Sequence, residues 1–134
     1  MQITRQADYA VRAVLYLAQL DPGIRASTSQ IATEQTIPIT FLAKIISQLA
    51  SSGVVRTTRG SRGGVTLAKP MNEISLLEVV EAIDGPISLN ECTTDASRCV
   101  MGESCTVRSV WCDARNELVG KLADTKLSSL VKVK

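Results

Sequence analysis

The sequence contains no histidine, and Phe, Trp and Tyr together make up 3% of its 134 residues. Without histidine the chain lacks the usual general base, the Ser-His-Asp and Cys-His catalytic groups, and the mixed Cys/His zinc sites. We therefore expect no enzymatic activity, and a hydrolase least of all. The scarcity of aromatic side chains argues against a platform on which single-stranded nucleic acid stacks, so any nucleic-acid partner should be a duplex.

Long apolar runs are missing as well. No stretch approaches the roughly 20 apolar residues that a membrane-spanning helix needs. The first residues, Met1-Gln-Ile-Thr-Arg-Gln-Ala-Asp8, are polar and lead into an amphipathic pattern, unlike a secretory leader. We expect a cytoplasmic protein without a membrane partner, in a compartment whose reducing conditions disfavour a structural disulfide.

The charged residues are divided along the chain. The formal net charge is +2, but residues 35–72 include no Asp or Glu, and their Lys and Arg side chains give this stretch a charge of +5. Residues 73–103 carry seven carboxylates against Arg98. A concentrated positive segment suits contacts with phosphates, which supply much of the affinity for nucleic acid. A merely solvated basic face is the alternative that charge alone leaves open.

The first third of the chain has the periodicity of three helices. Apolar residues recur at helical spacing from Arg5 to Leu20, and the sequence Asp21-Pro22-Gly23 ends the pattern. A capping box at Ser27–Gln30 opens a short second helix. A third helix is predicted from about Ile39 to Ser51, after the interruption at Pro38.

The third predicted helix has two different faces. Its apolar face consists of Phe41, Leu42, Ile45, Ile46 and Leu49. On the polar face we expect Thr40, Lys44 and Gln48 to contact DNA, with a base contact from Thr40 or Gln48. Two short helices joined by a tight turn, the second with small and polar residues outward, are typical of a helix-turn-helix.

A β-hairpin is predicted next. Two β-branched runs, Val54–Thr58 and Val65–Leu67, flank the sequence Arg59-Gly-Ser-Arg-Gly-Gly64, whose glycines permit a tight reversal. We expect this hairpin to be a wing in which Arg59 and Arg62 reach phosphates or a minor groove, with Arg56 as a further DNA contact. The phosphate-binding loop of an enzyme is the weaker interpretation, because these glycines open no helix.

The second half of the chain predicts two further helices. A capping box at Ser75–Glu78 begins a helix that runs to Asp84 and ends at Gly85-Pro86. A long helix starts near Thr106, with an apolar face of Val107, Trp111, Ala114, Leu118 and Leu122 and a polar face of Arg108, Arg115, Glu117 and Lys121. We expect this helix to project and pair with a second copy, giving a homodimer whose recognition helices meet half-sites ~34 Å apart. Residues 126–134 are predicted to fray.

Three cysteines, Cys92, Cys99 and Cys105, lie within fourteen residues that are too poor in large apolar side chains to be ordered by burial. Thiolates suit zinc and iron-sulfur clusters alike, but the paired knuckles typical of structural zinc are absent, which favours a cluster. Cys112 is a candidate fourth ligand, although about two helical turns, on the order of 10 Å, separate it from Cys105. A small buried residue beside Trp111 is its more ordinary role.

Several of these motifs occur together in one known family. The stretches Met1–Ala13, Ile39–Leu42, Gly53–Arg56 and Arg59–Gly64, followed by the three spaced cysteines, resemble the bacterial IscR/NsrR/RirA family of winged-helix iron-sulfur regulators. The resemblance is collinear and runs over nearly the whole chain. It implies a dimeric transcription factor whose cluster is held by three cysteines and a fourth ligand that differs between members.

The fourth ligand separates the subgroups of this family. In the IscR type it is a histidine on the helix just after the third cysteine, where this sequence has Arg108. In the NsrR type it is an aspartate on the first helix of the other subunit, and Asp8 matches that position. The resemblance is therefore closest to the NsrR-like subgroup and implies a 4Fe-4S cluster in preference to 2Fe-2S. Considered alone, Asp8 would be a carboxylate stabilised by the dipole at the start of its helix. Ala43 replaces a glutamate that tunes sequence choice in the IscR type.

These observations predict a mainly α fold with a small β-hairpin. Residues 1–72 would form a winged helix-turn-helix, and residues 73–134 a cluster-binding loop and a dimerisation helix. The expected function is a regulator whose affinity for promoter DNA depends on a cluster that senses nitric oxide, redox state or iron. A regulator of the same fold with a cluster-free thiol-disulfide switch is the alternative. An iron-sulfur enzyme or electron carrier is more distant, because the sequence has no second cluster motif.

Overall fold

Helices and one β-hairpin make up the computed structural model, which describes residues 2–61, 63–89 and 106–131. The predicted ligands Cys92, Cys99 and Cys105 and the wing residue Arg62 lie outside the described residues. The predicted fold class, mainly α with a small hairpin, is confirmed. In chain order the elements are α1 (Arg5–Gln19), α2 (Thr28–Gln35), α3 (Ile39–Ser51), β1 (Val55–Thr58), β2 (Gly64–Leu67), a 3-10 turn (Met71–Glu73), α4 (Leu76–Asp84), α5 (Arg108–Asp124) and α6 (Leu127–Leu130).

Helix α1 begins at a capping threonine and buries a face of small side chains. The Thr4 hydroxyl accepts a hydrogen bond from the Ala7 amide at 3.1 Å, as expected of an N-cap residue. Ala7, Ala10 and Ala13 are fully buried, and α1 packs on α4 and α3. Three methyl side chains on one face let the neighbouring helices approach the backbone of α1 closely.

Helix α2 is capped by Ser27 and is tied to α1, but only half of the predicted capping box is formed. The Ser27 hydroxyl accepts from the Gln30 amide at 3.0 Å. The Gln30 side chain, however, donates to the Tyr16 hydroxyl at 2.9 Å. Gln30 thus fixes α2 against α1, a tertiary contact that the local Ser-x-x-Gln pattern does not predict.

Helix α3 packs its aliphatic face into the core and ends as the sequence indicates. Leu42, Ile45, Ile46 and Leu49 are buried. Gly53, with φ +79°, closes the helix in a Schellman motif: its amide donates to the Ala50 carbonyl at 3.1 Å, and the Val54 amide donates to the Leu49 carbonyl at 3.0 Å.

Phe41 corrects the predicted apolar stripe of α3. It is 48% exposed, although the pattern assigned it to the buried face. Phe41 lies beside the first turns of α1, where it lines an open cavity of about 390 Å³ with Arg5, Gln6, Tyr9 and Pro38. The core beneath α3 is filled by its aliphatic side chains, so the aromatic ring lies at the edge of the helix.

The hairpin is antiparallel and attached near its turn, through Val65 of β2, to the segment before α2. Its register pairs Val55 with Leu67 and Thr58 with Gly64. Val65 also pairs with Ala26 through two backbone hydrogen bonds, of 3.2 and 2.7 Å. At the turn, a Cβ on Gly63 would overlap the carbonyl oxygen of Thr58, so this position requires glycine.

The end of the chain returns to the core, which overturns the prediction of fraying for the described part of residues 126–134. The Leu76 amide donates to the Thr125 carbonyl at 2.8 Å, and the Leu127 amide donates to the Ile74 carbonyl at 2.9 Å. Leu127 is fully buried. Backbone pairing and one apolar side chain therefore fasten α6 to the beginning of α4.

One hydrophobic core joins the two predicted regions. It includes Leu42 and Val65 from the first region and Ile74, Val79 and Leu127 from the second. The two predicted regions, residues 1–72 and 73–134, are therefore not separated by independent cores, and the division of DNA binding and cluster binding between them stays a prediction. No helix within the described ranges is long and apolar enough to cross a membrane.

Candidate nucleic-acid interface and sensor residues

The polar face of α3 points away from the core. Thr40 and Lys44 are exposed and Gln48 is half-buried. Residues four apart lie on the same side of a helix, and the buried leucines and isoleucines opposite fix the orientation of this row. The helix has 13 residues, about 20 Å of length, which is enough to lie in a major groove. The contacts of Thr40, Lys44 and Gln48 with DNA stay predictions.

The hairpin presents two further cations. Arg56 lies on β1 opposite Thr66, and Arg59 directly follows the strand. Both side chains are exposed. Lys69 differs from them, because its Nζ lies 2.7 Å from the Glu78 carboxylate. The +5 segment therefore contains exposed cations as well as one that is engaged in an ion pair within the chain.

Asp8 lies in the first turn of α1 with its side chain 64% exposed. Its carboxylate lies 3.4 Å from the Nε of Arg12, one turn along the helix. Such an exposed pair contributes little to stability, so the carboxylate stays accessible to a group on another chain.

Arg12 was not among the predicted site residues. Its Nη1 donates to the Gln35 carbonyl at 3.1 Å, and its guanidinium lies 4.9 Å from the centre of the Tyr9 ring. Arg12 thus links α1 to the last residue of α2 while lying beside Asp8. The Asp-x-x-x-Arg spacing on a predicted helix was the available signal, but it does not reveal the contact with Gln35.

Ile87 contacts both helices that flank the cysteine stretch, which we define as residues 92–105. This residue is 3% exposed. Its amide donates to Glu81 Oε2 at 3.2 Å, and its carbonyl accepts from the Nε of Arg115 at 2.7 Å. Arg115 was predicted on the solvent-facing side of the last helix and instead lies half-buried. The prediction failed because α5 packs on α4, which turns this arginine toward the chain before the cysteines.

Cys112 is half-buried on α5, beside an exposed Trp111. It is therefore less buried than its expected structural role suggests. Among the residues that the structure describes, no three His, Cys, Asp or Glu side chains form a group that could hold a metal ion. The assignment of Cys92, Cys99, Cys105 and Asp8 as ligands, with Cys112 as the alternative, stays a prediction.

One side of α5 is apolar and faces outward. Val107, Val110 and Trp111 are 46%, 57% and 42% exposed, and Ala114 follows them on the exposed side. The helix does not simply project as predicted, since Leu118 and Leu122 are half-buried and α5 contacts α4. An exposed apolar strip of this kind is typical of an association surface.

Comparison with known proteins gives a consistent result. The sequence profile of the Rrf2 family, described as an iron-dependent transcriptional regulator, matches residues 3–133. CymR (YrzC), the global cysteine regulator of B. subtilis, has a similar structure with a TM-score of 0.82 at 24% identity, over 97% of this chain and 95% of that chain. The oxidised form of Staphylococcus aureus CymR gives 0.79 at 23%, over 100% and 98%. T. potens IscR gives 0.76 at 22%, over 97% and 85%.

These structural likenesses, each under 25% identity, show the fold. The sequence profile extends over almost the whole chain, including the helix-turn-helix, the hairpin and α5. The resemblance predicted from the motifs is confirmed at the level of the family, whereas the NsrR-like subgroup stays a prediction. The chain belongs to the Rrf2 family of transcriptional regulators.

Proposed function

We propose that this Rrf2 regulator binds duplex promoter DNA as a homodimer and that an iron-sulfur cluster controls its affinity for DNA. The observation that carries the sensing part is the position of Asp8. Its carboxylate is largely exposed on α1 and engaged in a weak pair with Arg12, so it can serve a second subunit without disturbing the fold of its own.

DNA binding is assigned to α3 and the hairpin. Lys44, Arg56 and Arg59 would neutralise phosphates, with Arg62 as a further contact on the same loop. Thr40 and Gln48 would contact base edges. This division of labour is supported by the burial of the opposite face of α3, which leaves the polar row to solvent.

The apolar strip on α5 would form the homodimer interface. Trp111 is a large side chain of the kind that dominates interface energetics, and it lies beside Val107 and Val110 on the exposed side of the helix. A twofold dimer built on this helix would present two copies of α3 to half-sites about one DNA turn, ~34 Å, apart.

The donor set fits an iron-sulfur cluster. Cys92, Cys99 and Cys105 would provide three thiolates, which are the usual ligands of such clusters, and Asp8 of the partner subunit would provide a carboxylate. A 4Fe-4S cluster is proposed in preference to 2Fe-2S. When bound, it would supply a centre that reacts with nitric oxide, oxygen or reductants.

Asp8 would be the ligand whose release starts the response. A carboxylate is a harder donor than a thiolate and binds a soft metal site less firmly, so it is the ligand most readily released. While it is bound, Asp8 would tie the α1 helix of one subunit to the cysteine stretch of the other. Its release would remove that tie and let the two recognition helices change their separation, a two-state change sufficient to alter DNA affinity.

The test is purification without air, followed by iron and sulfide analysis, absorption and EPR spectra, and titration with nitric oxide and oxygen. We expect a brown protein whose affinity for its promoter changes when the colour is lost. A colourless protein with stoichiometric zinc contradicts the proposal, as does an iron-free dimer that binds its promoter at full strength.

A cluster-free thiol-disulfide switch is the second candidate. It is supported by the similar fold of the oxidised form of S. aureus CymR and by the partial exposure of Cys112 on α5. This candidate predicts that DNA binding responds to a mild oxidant in protein without metal and recovers with a dithiol.

A further inference from the structure

Helix α4 carries three carboxylates at one-turn spacing, and each is bonded to a different part of the chain. The residues are Glu78, Glu81 and Asp84. Glu78 Oε2 lies 2.7 Å from the Nζ of Lys69. Glu81 Oε2 accepts from the Ile87 amide at 3.2 Å. Asp84 accepts from the Thr4 hydroxyl at 2.6 Å through Oδ1 and from the Thr4 amide at 3.4 Å through Oδ2.

These contacts distinguish the row from an ordinary solvated acidic face. Carboxylates three or four residues apart on a helix repel each other, and here each one has a donor that offsets the repulsion. The Thr4 hydroxyl has two partners, since it also caps α1 by accepting from the Ala7 amide. The opposite side of α4 is anchored in the core through Val79, which is fully buried. The helix is therefore held by the core on one side and by its carboxylates on the other, and it should move as a unit.

The three bonded segments are those that the proposed mechanism has to connect. Lys69 lies two residues after β2 of the hairpin. Thr4 is the N-cap of α1, the helix that carries Asp8. Ile87 lies five residues before Cys92, and its carbonyl is also held by Arg115 of α5. A displacement at Ile87 is thus applied directly to α4.

We propose that α4 transmits the state of the cysteine stretch to the hairpin and to the first turn of α1 through this row of carboxylates. Glu81 receives the displacement, and Glu78 and Asp84 pass it on. All three are positioning residues, because they act through the elements they hold and not through contact with DNA or a cofactor. The regulatory part of this inference rests on the proposed function, whereas the mechanical coupling does not.

Amide hydrogen exchange of the full-length protein tests the coupling without any cofactor. Glu81→Ala removes the acceptor for Ile87, and the loss of one hydrogen bond should speed exchange about two- to tenfold. We expect this increase in residues 85–89 and also in residues 54–69 and 2–8. Glu73→Ala, an exposed glutamate just before α4, is the matched control and should change neither distant region.

The amides of α3 report global unfolding and provide the reference. An increase confined to residues 85–89 overturns the proposal, as does an equal increase throughout α3, since that indicates a uniformly weakened fold. If Glu81→Ala does not fold, Glu81→Gln decides the question, because its remaining carbonyl oxygen keeps an acceptor and should give a smaller increase in the same distant regions.

A second experiment separates this inference from the proposed function. The ratio of promoter Kd values is measured for protein purified without air and for the same protein after iron chelation. Asp84→Ala and Thr4→Val, which each remove the bond between Asp84 and the Thr4 hydroxyl, should bring that ratio toward one, while Glu73→Ala keeps the wild-type ratio. A wild-type ratio of one would refute cluster control but leave the exchange result to decide the coupling. An unchanged ratio in both variants would refute transmission through Asp84.

Discussion

Replacing Arg59 by Ala should lower the salt dependence of DNA binding, whereas replacing Lys69 by Ala should not. Arg59 is exposed directly after β1, and no carboxylate among the described residues forms an ion pair with it. Lys69 is held 2.7 Å from the Glu78 carboxylate. A cation that keeps its carboxylate partner neutralises little phosphate charge, so Lys69 is the matched control within the same positive segment.

The size of the effect follows from counterion release. The slope of log K against log salt concentration changes by about 0.9 for each phosphate that is neutralised on B-DNA. Each substitution occurs twice in a homodimer, so Arg59→Ala should reduce the slope by about 1.8. Between about 50 mM and about 200 mM salt, that difference corresponds to a change of roughly tenfold in the ratio of wild-type to variant affinity.

Fluorescence anisotropy with a labelled duplex of arbitrary sequence is sufficient, because the phosphate contribution does not depend on sequence. Circular dichroism and sedimentation establish that each variant keeps its fold and its oligomeric state. Equal slopes for wild type and Arg59→Ala would refute the assignment of the hairpin as a phosphate contact. An equal decrease for Lys69→Ala would refute the distinction between exposed and paired cations.

Three other predictions concern stability, assembly and the cofactor. Leu127→Ala should lower the free energy of unfolding in urea by about 2–5 kcal/mol, because it opens a cavity in the core. Leu130→Ala, at a residue that is 40% exposed, should lower it by less than about 1 kcal/mol. Similar values for the two variants would show that Leu127 is not part of the core. Val110→Asp should convert the dimer to monomer in sedimentation, because a charge enters the centre of an apolar interface. An intact dimer would show that this strip is not the dimer interface. Asp8→Ala should weaken the visible absorbance of protein purified without air while Cys112→Ala leaves it unchanged, and the reverse pattern would make Cys112 the fourth ligand.

Local sequence signals predicted the elements that depend on local interactions. The Schellman end of α3 requires a residue with positive φ, and Gly53 was identified from its position after the periodic stretch. The capping box of α4 is complete, with the Ser75 hydroxyl accepting from the Glu78 amide at 3.1 Å and the Glu78 side chain 3.5 Å from the Ser75 amide. These features can be predicted because donor and acceptor are three to five residues apart in the chain.

The errors arise where contacts join distant segments. Phe41 has the spacing of the residues on the buried face of α3, but it lies beside α1. The periodicity of α3 alone does not show that α1 leaves the Phe41 ring half exposed. Arg115 was placed on the outer face because no local pattern reveals that its acceptor is the carbonyl of Ile87, 28 residues away. Leu127 follows a helix end and resembles a tail until its pairing with Ile74 is known.

The candidate site shows the same division. The polar row of α3 and the arginines of the hairpin could be named from patterning, and the exposure of Thr40, Lys44, Arg56 and Arg59 agrees with that assignment. The role of Asp8 came from resemblance to a family, since a single carboxylate near a helix start has an ordinary explanation. The bond of each α4 carboxylate to a different segment could not be predicted, because the sequence shows the acidic residues without their partners.

The alanine face of α1 has a consequence for the evolution of this chain. Where Ala7, Ala10 and Ala13 meet neighbouring helices, no side chain is long enough to change rotamer and absorb a shift. A larger residue at any of these positions would act as a wedge and would require the opposing helix to be displaced. The contact between α1 and α4 therefore tolerates little slippage, and larger residues should be accommodated less easily at these three positions than at exposed positions of α1.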